Sequence, residues 1–423
     1  MKGDIFNLTR ITYIIVLGAS INNLAAGLLE PTVAPYLEIL GASSQEIGTI
    51  LSARFLVVAI ASLPLALFAS RFGLKRFLYL SAIGMVIGGV ILFSIGGKTA
   101  ILWFYLSIGF TSAIFSGPGA ALIAENTGTK RIAAFSLFYA TWMIPTALGA
   151  LISTIWFWNI LEYTPENLAS IFPPTIFVMI AGSVVFIVLI LFTDHEESTK
   201  ELLTVTDINQ VPIKSQFQIL FSPIIALPLT LLIITEFLSG AGAGSSLPYL
   251  TPYLKSIGAT PGELSILVFI MNIFMGVATQ LSPLLAKRFG DLRVFSVTMI
   301  LSVSCLLGIA FSNDLVVSAL FFIFRGTFAN MNAPITSSRM LEFIETRVRA
   351  TGVATTSTVR WIGWSLFSPI SGGIIDNYGY NIAFTFTSII YIVALVIFVR
   401  VIQRFKSLEE IKSKPTLRIP NNH

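Results

Sequence analysis

Apolar runs of roughly twenty residues recur along the chain, each closed by a short polar turn, and that alternation is its governing pattern. The runs lie at about 11–37, 45–69, 77–96, 100–122, 132–156, 173–193, 222–250, 263–285, 294–312, 315–338, 350–374 and 381–402. A helix rises ~1.5 Å per residue, so each run is long enough to cross a ~30 Å hydrocarbon core. The pattern predicts an all-α integral membrane protein of about twelve transmembrane helices. The first run is too long for the apolar segment of a signal peptide and reads as a structural helix.

Composition confirms the solvent. Of 423 residues, 55% are hydrophobic and 11% charged, against about 25% charged in a soluble domain, so most of the surface faces lipid bilayer. A formal charge of +5 would suit a nucleic-acid binder, but its distribution does not. Of the 26 lysines and arginines, 21 fall in turns on one side, from Lys2 and Arg10 to the segment Arg400–Arg418, and only Lys98 and Lys255 fall on the other. Basic loops stay in the cytoplasm, which predicts a multi-pass protein of the cell membrane with both termini cytoplasmic. The single cysteine, Cys305, lies in an apolar run, so neither a disulfide framework nor a thiolate metal site is expected. No cofactor or metal motif is visible.

The chain repeats itself. Leu67–Arg76, LFASRFGLKR, returns 217 residues later as Leu284–Arg293, LLAKRFGDLR. Pro31, Pro35-Tyr36-Leu37, Gly41-Ala42 and Glu46 return at the same spacing as Pro248, Pro252-Tyr253-Leu254, Gly258-Ala259 and Glu263. A unit of six helices is even, so its second copy enters the membrane from the same side, and two six-helix bundles should be related by an axis along the membrane normal, a parallel repeat. The expected organisation is an N-terminal bundle at 1–193, a polar cytoplasmic linker at 194–218, a C-terminal bundle at 219–402 and a cytoplasmic tail at 403–423.

In these features the chain resembles the major facilitator superfamily over nearly its whole length. The residues that carry the likeness are the turn Arg71, Gly73, Lys75 and Arg76 after the second run, with Arg288 and Gly290 after the eighth. Supporting them are Arg325 with Pro334, Gly117-Pro118, and Ser368-Pro369 with Gly372-Gly373. The chain departs from the family in two places. The aspartate usual before the arginine of the turn is replaced by Ser70 in one copy and Lys287 in the other, and the antiporter signature of the fifth helix survives only as Pro145 and Gly149. The resemblance implies that the basic turn latches the two halves in one conformation; read from the residues alone, it also suits simple anchoring at the anionic leaflet.

Five charged residues lie well inside apolar runs: Glu30, Arg54, Glu236, Arg325 and Arg360. An arginine at the bilayer centre costs about 2.5–3.5 kcal/mol on insertion scales, so such groups face protein or a watery cavity. Glu30 and Arg54 flank the first outer turn almost symmetrically and are expected to form a salt bridge or a water-linked pair, either to fix packing or to bind solute. The resemblance places Glu30, Glu236 and Arg325 at or near a cavity lined by the first, fourth, seventh and tenth helices. Asn22, Asn23, Asn272, Asn330 and Asn332 either touch solute or bond neighbouring helices, and Trp142, Trp361 and Trp364 either line the path or pack between helices. The run Ser239–Ser246, rich in glycine, lacks the strand a dinucleotide site needs; it should weaken its helix, permit a bend and allow close helix contacts. The first run has a comparable composition, and matched interrupted helices are where transporters bind solute.

The reading is a secondary active transporter that moves a small organic solute by alternating access, with an ion, the proton, as coupling partner. Because the only histidines are His195 and His423, outside the runs, that proton would ride on a carboxylate. The rivals are a multidrug exporter, and a non-transporting receptor or scaffold on the same fold.

Overall fold

The computed structural model describes residues 10–116, 131–191, 223–332, 335–336 and 349–413. Among them there is no strand, and each of the twelve runs is mainly helical over its described residues. The first half holds α1 (Arg10–Leu29), α2 (Val33–Ile39), α3 (Ser44–Phe72), α4 (Leu74–Ser94), α5 (Gly97–Ile114), α6 (Arg131–Phe157), the short α7 (Pro165–Ala169) and α8 (Phe172–Leu191). The second holds α9 (Pro223–Ser256), α10 (Pro261–Phe289), α11 (Asp291–Phe311), α12 (Leu315–Asn330), α13 (Arg349–Tyr378) and α14 (Tyr380–Ser413). Eight of the described helices are long and apolar enough to cross a membrane.

The repeat is visible in local geometry. Gly73 ends α3 with φ 88° and ψ 134°, and Gly290 ends α10 with φ 87° and ψ 139°, a left-handed corner that only glycine adopts without strain. At their other ends both helices start with a capping box, Ser43 with Glu46 and Thr260 with Glu263, each hydroxyl taking a backbone N–H while the carboxylate takes another. Each half also has its own apolar core. One gathers Ile15, Leu28, Phe104, Ile108 and Phe186, the other Leu250, Leu264, Phe295, Leu306 and Phe384.

Two helix pairs make most of the contact between the bundles, α3 with α13 and α6 with α10, and α9 also touches α2 and α3. Their contacts gather at the end of the molecule opposite the Gly73 and Gly290 turns, called the far end below. There Asp376 near the end of α13 accepts the N–H groups of Ser44 (2.8 Å) and Gln45 (3.0 Å) at the start of α3. Tyr163 donates to the Ala259 carbonyl (2.6 Å), and the hydroxyls of Ser153 and Ser265 lie 3.1 Å apart. Added Cβ atoms at Gly48 or Gly372 would strike the backbone of Ser368 or Ser44, so these two helices run almost backbone to backbone.

Two expectations need correction. The first span is interrupted, at Glu30–Thr32, where Pro31 brings no N–H and its ring clashes with the preceding turn. Its supposed counterpart is not interrupted: α9 runs unbroken for 34 residues through Gly240, Gly242, Gly244, Pro248 and Pro252. The glycines there serve proximity instead. A side chain at Gly240 or Gly244 would collide with the backbone of Arg360 or Trp364 on α13, and one at Gly242 with the Tyr391 ring on α14. The last helix also continues past 402 to Ser413, into the expected tail. The linker 194–218, Gly117-Pro118 and Pro334 lie outside the described residues.

Candidate functional site

Arg54 sits half-buried in the middle of α3, and it does not pair directly with Glu30. Its Nη2 donates to Asn23 Oδ1 (3.1 Å), while Asn23 Nδ2 donates to the Thr141 carbonyl (3.0 Å), so one asparagine ties α1, α3 and α6 together and orients the guanidinium. Glu30 lies in the break between α1 and α2, exposed beside the buried Pro31 and Thr32, where it and Arg54 feel each other's charge. Of the two arrangements expected of this pair, the direct salt bridge is absent. The Arg54 guanidinium carbon lies 5.6 Å from the Phe55 ring centre and 6.0 Å from that of Trp142, within cation–π range.

Those rings belong to a cluster that crosses the bundle interface. Trp142 on α6 is near-parallel to Trp361 on α13, with centres 6.1 Å apart and planes at 9°. Phe55 on α3 stacks on the same Trp361 at 4.9 Å and 12°, and meets Trp364 at 4.3 Å. Beside the stack, Arg360 Nε lies 2.8 Å from Glu236 Oε2 on α9, with 34% of the arginine side chain exposed against 8% of the glutamate. The cation therefore reaches into open space while its counter-charge is held in the protein. Arg360 stands eleven residues into α13, ~16 Å along its axis and near mid-depth. Close approach of α9 to α13 at Gly240 makes the pair possible.

Other expected site residues lie elsewhere. Arg325 is 2% exposed, inside the second bundle, donating from Nη2 to Ser246 (2.8 Å) and Tyr391 (2.9 Å). No carboxylate lies within ion-pair distance of it among the described residues, so hydroxyls and the Tyr391 ring, 5.7 Å away, carry its solvation. Asn22 is 2% exposed and bonds Ser112 (3.0 Å) and Thr111 (2.8 Å) across α1 and α5. Asn332 accepts from Thr298 (2.6 Å), leaving its Nδ2 buried without an acceptor. Asn272 and Asn330 donate to carbonyls one turn back in their own helices. In the basic turns Arg76, Lys287 and Arg288 are exposed, and the side chains of Arg71 and Lys75 lie outside the described residues.

The structure thus assembles Arg54, Asn23, Trp142, Trp361, Trp364, Glu236 and Arg360 into one continuous patch between the bundles, and adds Phe55, which the sequence did not single out. It leaves Arg325, Asn22 and Asn332 within bundles. The far-end contacts of Asp376 and Tyr163 were also missed. One sequence signal did exist: Glu38 and Lys255 stand 217 residues apart, the repeat spacing, and form an ion pair of 2.7 Å.

Comparison with known proteins agrees with this architecture. The sequence profile of the Major Facilitator Superfamily matches residues 15–235 and 232–419. Niacin transporter NiaP of Acinetobacter baylyi (strain ATCC 33305 / BD413 / ADP1) is 27% identical over 135 residues, 32% of this chain and 31% of that protein, so the match spans about a third of that relative's length. Among solved structures, a mutant of nucleoside transporter NupG superposes with a TM-score of 0.73 at 15% identity, covering 92% of this chain and 99% of that one. A D-xylose-proton symporter gives 0.71 at 13% identity, covering 92% and 96%. A bacterial homologue of the human lysosomal transporter Spinster, inward-facing and unoccupied, gives 0.69 at 14%, covering 96% and 98%. At these identities the superpositions establish the fold.

Proposed function

Because the chain belongs to the Major Facilitator Superfamily, and so is a multi-pass membrane transporter by family, we propose that it is a proton-coupled secondary transporter of a small organic solute, working by alternating access at the patch around Arg54, Trp361 and Arg360. The observation that carries the reading is the Glu236–Arg360 ion pair, 2.8 Å long, near mid-depth and exposed chiefly through its arginine. Such a pair has two competing ways to be satisfied. With Glu236 ionised, Arg360 is neutralised internally; with Glu236 protonated, the guanidinium is released to hold an anionic or strongly polar solute group. Proton binding and solute binding then favour each other, which is the coupling a symporter needs.

The gate follows from where the bundles touch. Closure at the far end by Asp376, Tyr163 and Glu38–Lys255 leaves rocking about the pseudo-twofold axis to expose the patch to one side or the other. With the basic turns cytoplasmic, as their charge favours, the closed end is the extracellular one and the protein sits in the cell membrane. The relatives move nucleosides, xylose and niacin by their names, so likeness supports transport and leaves the cargo to the site's own chemistry.

The test is uptake into proteoliposomes under an imposed pH gradient with wild type, Glu236→Gln and Arg360→Ala. Glu236→Gln should keep solute exchange while losing pH-driven accumulation, because its side chain no longer titrates. Undiminished pH-driven uptake in both variants would defeat the coupling assignment.

A further inference from the structure

From the ring geometry and the surrounding donors we infer that the cargo is a planar aromatic monoanion, its ring taken between Trp142 and Trp361 and its carboxylate by Arg54. This deepens, and rests on, the transport reading above.

The two indoles belong to different bundles and face each other with planes at 9° and centres 6.1 Å apart. A flat ring needs about 7 Å between the faces it stacks on, twice a van der Waals contact of ~3.5 Å. Parting or sliding of the bundles at this stack admits one, and rocking supplies that motion. The third parallel ring, Phe55, holds Trp361 in plane from the first bundle. A guest ring therefore replaces an indole–indole contact with two ring–ring contacts.

The polar groups of the patch ask for an acceptor. Arg54 Nε and Trp364 Nε1 are buried without a hydrogen-bond acceptor, and both are donors. Arg360 has the Glu236 carboxylate beside it until that group takes a proton, and then joins Arg54 in holding the solute carboxylate. Arg54 bonds the neutral Asn23 amide and lies against two ring faces, and Glu30 acts on it by charge without an ion-pair contact. A guanidinium with a buried donor to spare against an aromatic wall suits a ligand that is flat and carries one carboxylate. A sugar would leave the rings poorly covered, and a cation would leave the spare Arg54 donor without an acceptor.

The probe is benzoate, with cyclohexanecarboxylate, which keeps the charge and loses the flat ring, and benzamide, which keeps the ring and loses the charge. Binding is measured on the full-length protein in lipid nanodiscs by calorimetry and by tryptophan fluorescence. Benzoate should bind and quench, each analogue should bind at least about tenfold more weakly, Trp361→Leu should weaken benzoate by a similar factor and Trp361→Phe should restore it. Arg54→Gln should erase the preference for benzoate over benzamide. Equal binding of cyclohexanecarboxylate, no benzoate binding at millimolar concentration, or unchanged binding in Trp361→Leu with unchanged melting would overturn the inference. Proteoliposome uptake of labelled sugar, nucleoside and amine solutes separates this from the wider reading. Accumulation of one of those without benzoate removes the aromatic anion and keeps transport, whereas accumulation of none, benzoate included, removes both.

Discussion

Glu38 and Lys255 occupy equivalent positions in the two halves of the repeat, and they bond to each other at 2.7 Å. A residue that touches its own repeat mate must lie beside the axis relating the halves, so this pair marks the pseudo-twofold axis at the far end. Lys255 also lies 5.2 Å from the Tyr163 ring, which shields one side of the bond. The repeat has diverged in charge at this position, turning what would be like-charge repulsion on the axis into attraction.

Breaking that pair should loosen far-end closure without unfolding the protein. A partly exposed ion pair contributes about 0–1 kcal/mol, so Glu38→Gln should shift the balance of conformations by no more than about fivefold. Cysteine accessibility at Ser153→Cys, across the closed interface, measures the shift. Glu38→Lys combined with Lys255→Glu should restore protection, and equal labelling of all variants would show that the pair does not hold the gate.

Asp376 should matter more. It accepts two backbone N–H groups at the N-terminus of α3, where the helix dipole also favours an anion. Asp376→Asn should favour the opened far end by about 1 kcal/mol and raise Ser153→Cys labelling more than Glu38→Gln does. Partial burial pushes its carboxyl upward, but hydrogen bonds from Gln45 and Ser44 outweigh that and leave it below the ordinary aspartate range. A depressed carboxyl stabilises closure above its pKa in the open state and loses that contribution as pH falls through the closed-state value. The gate should therefore be indifferent to pH between about 5 and 8 on this account, and loosen only below about pH 4.

Arg325 is expected to be a folding residue. Arg325→Met removes the Nη2 donor that serves both Ser246 and Tyr391, so it should lower stability by about 1–3 kcal/mol and leave solute affinity in the surviving folded protein unchanged. Thermal melting alongside solute binding decides this; a loss of affinity with unchanged melting would return Arg325 to the binding site.

Gly240→Ala should act on the site through packing. The new methyl meets the Arg360 carbonyl, and overpacking of this kind costs about 1–3 kcal/mol. Separation of α9 from α13 should also lengthen the Glu236–Arg360 bond, so pH-driven uptake should fall further than melting temperature does. Gly276→Ala, with only the flexible Met143 side chain nearby at 3.8 Å, is the control and should be nearly silent.

The twelve helices, the repeat and both glycine corners were legible in the residues because each rests on local physics. A helix closes its own backbone hydrogen bonds, a run of apolar residues has one suitable solvent, and a corner at φ near 88° admits glycine alone. The capping boxes follow the same logic, since donor and acceptor are three positions apart. Partner choice was not legible. Similar depth in the membrane suggested a salt bridge or a water-linked pair between Arg54 and Glu30; the direct bridge is absent, and the hydrogen bond of Arg54 goes to Asn23. Arg325 looked like a cavity residue, and the rotation of α12 buried it against Ser246 and Tyr391. Which face a helix presents depends on how closely its neighbours approach, and here glycines at 240, 244, 48 and 372 set that approach between elements more than a hundred residues apart. Sequence alone determined what could cross the bilayer and that it was built twice; only the packed structure decided which charges and rings meet in the space between the copies.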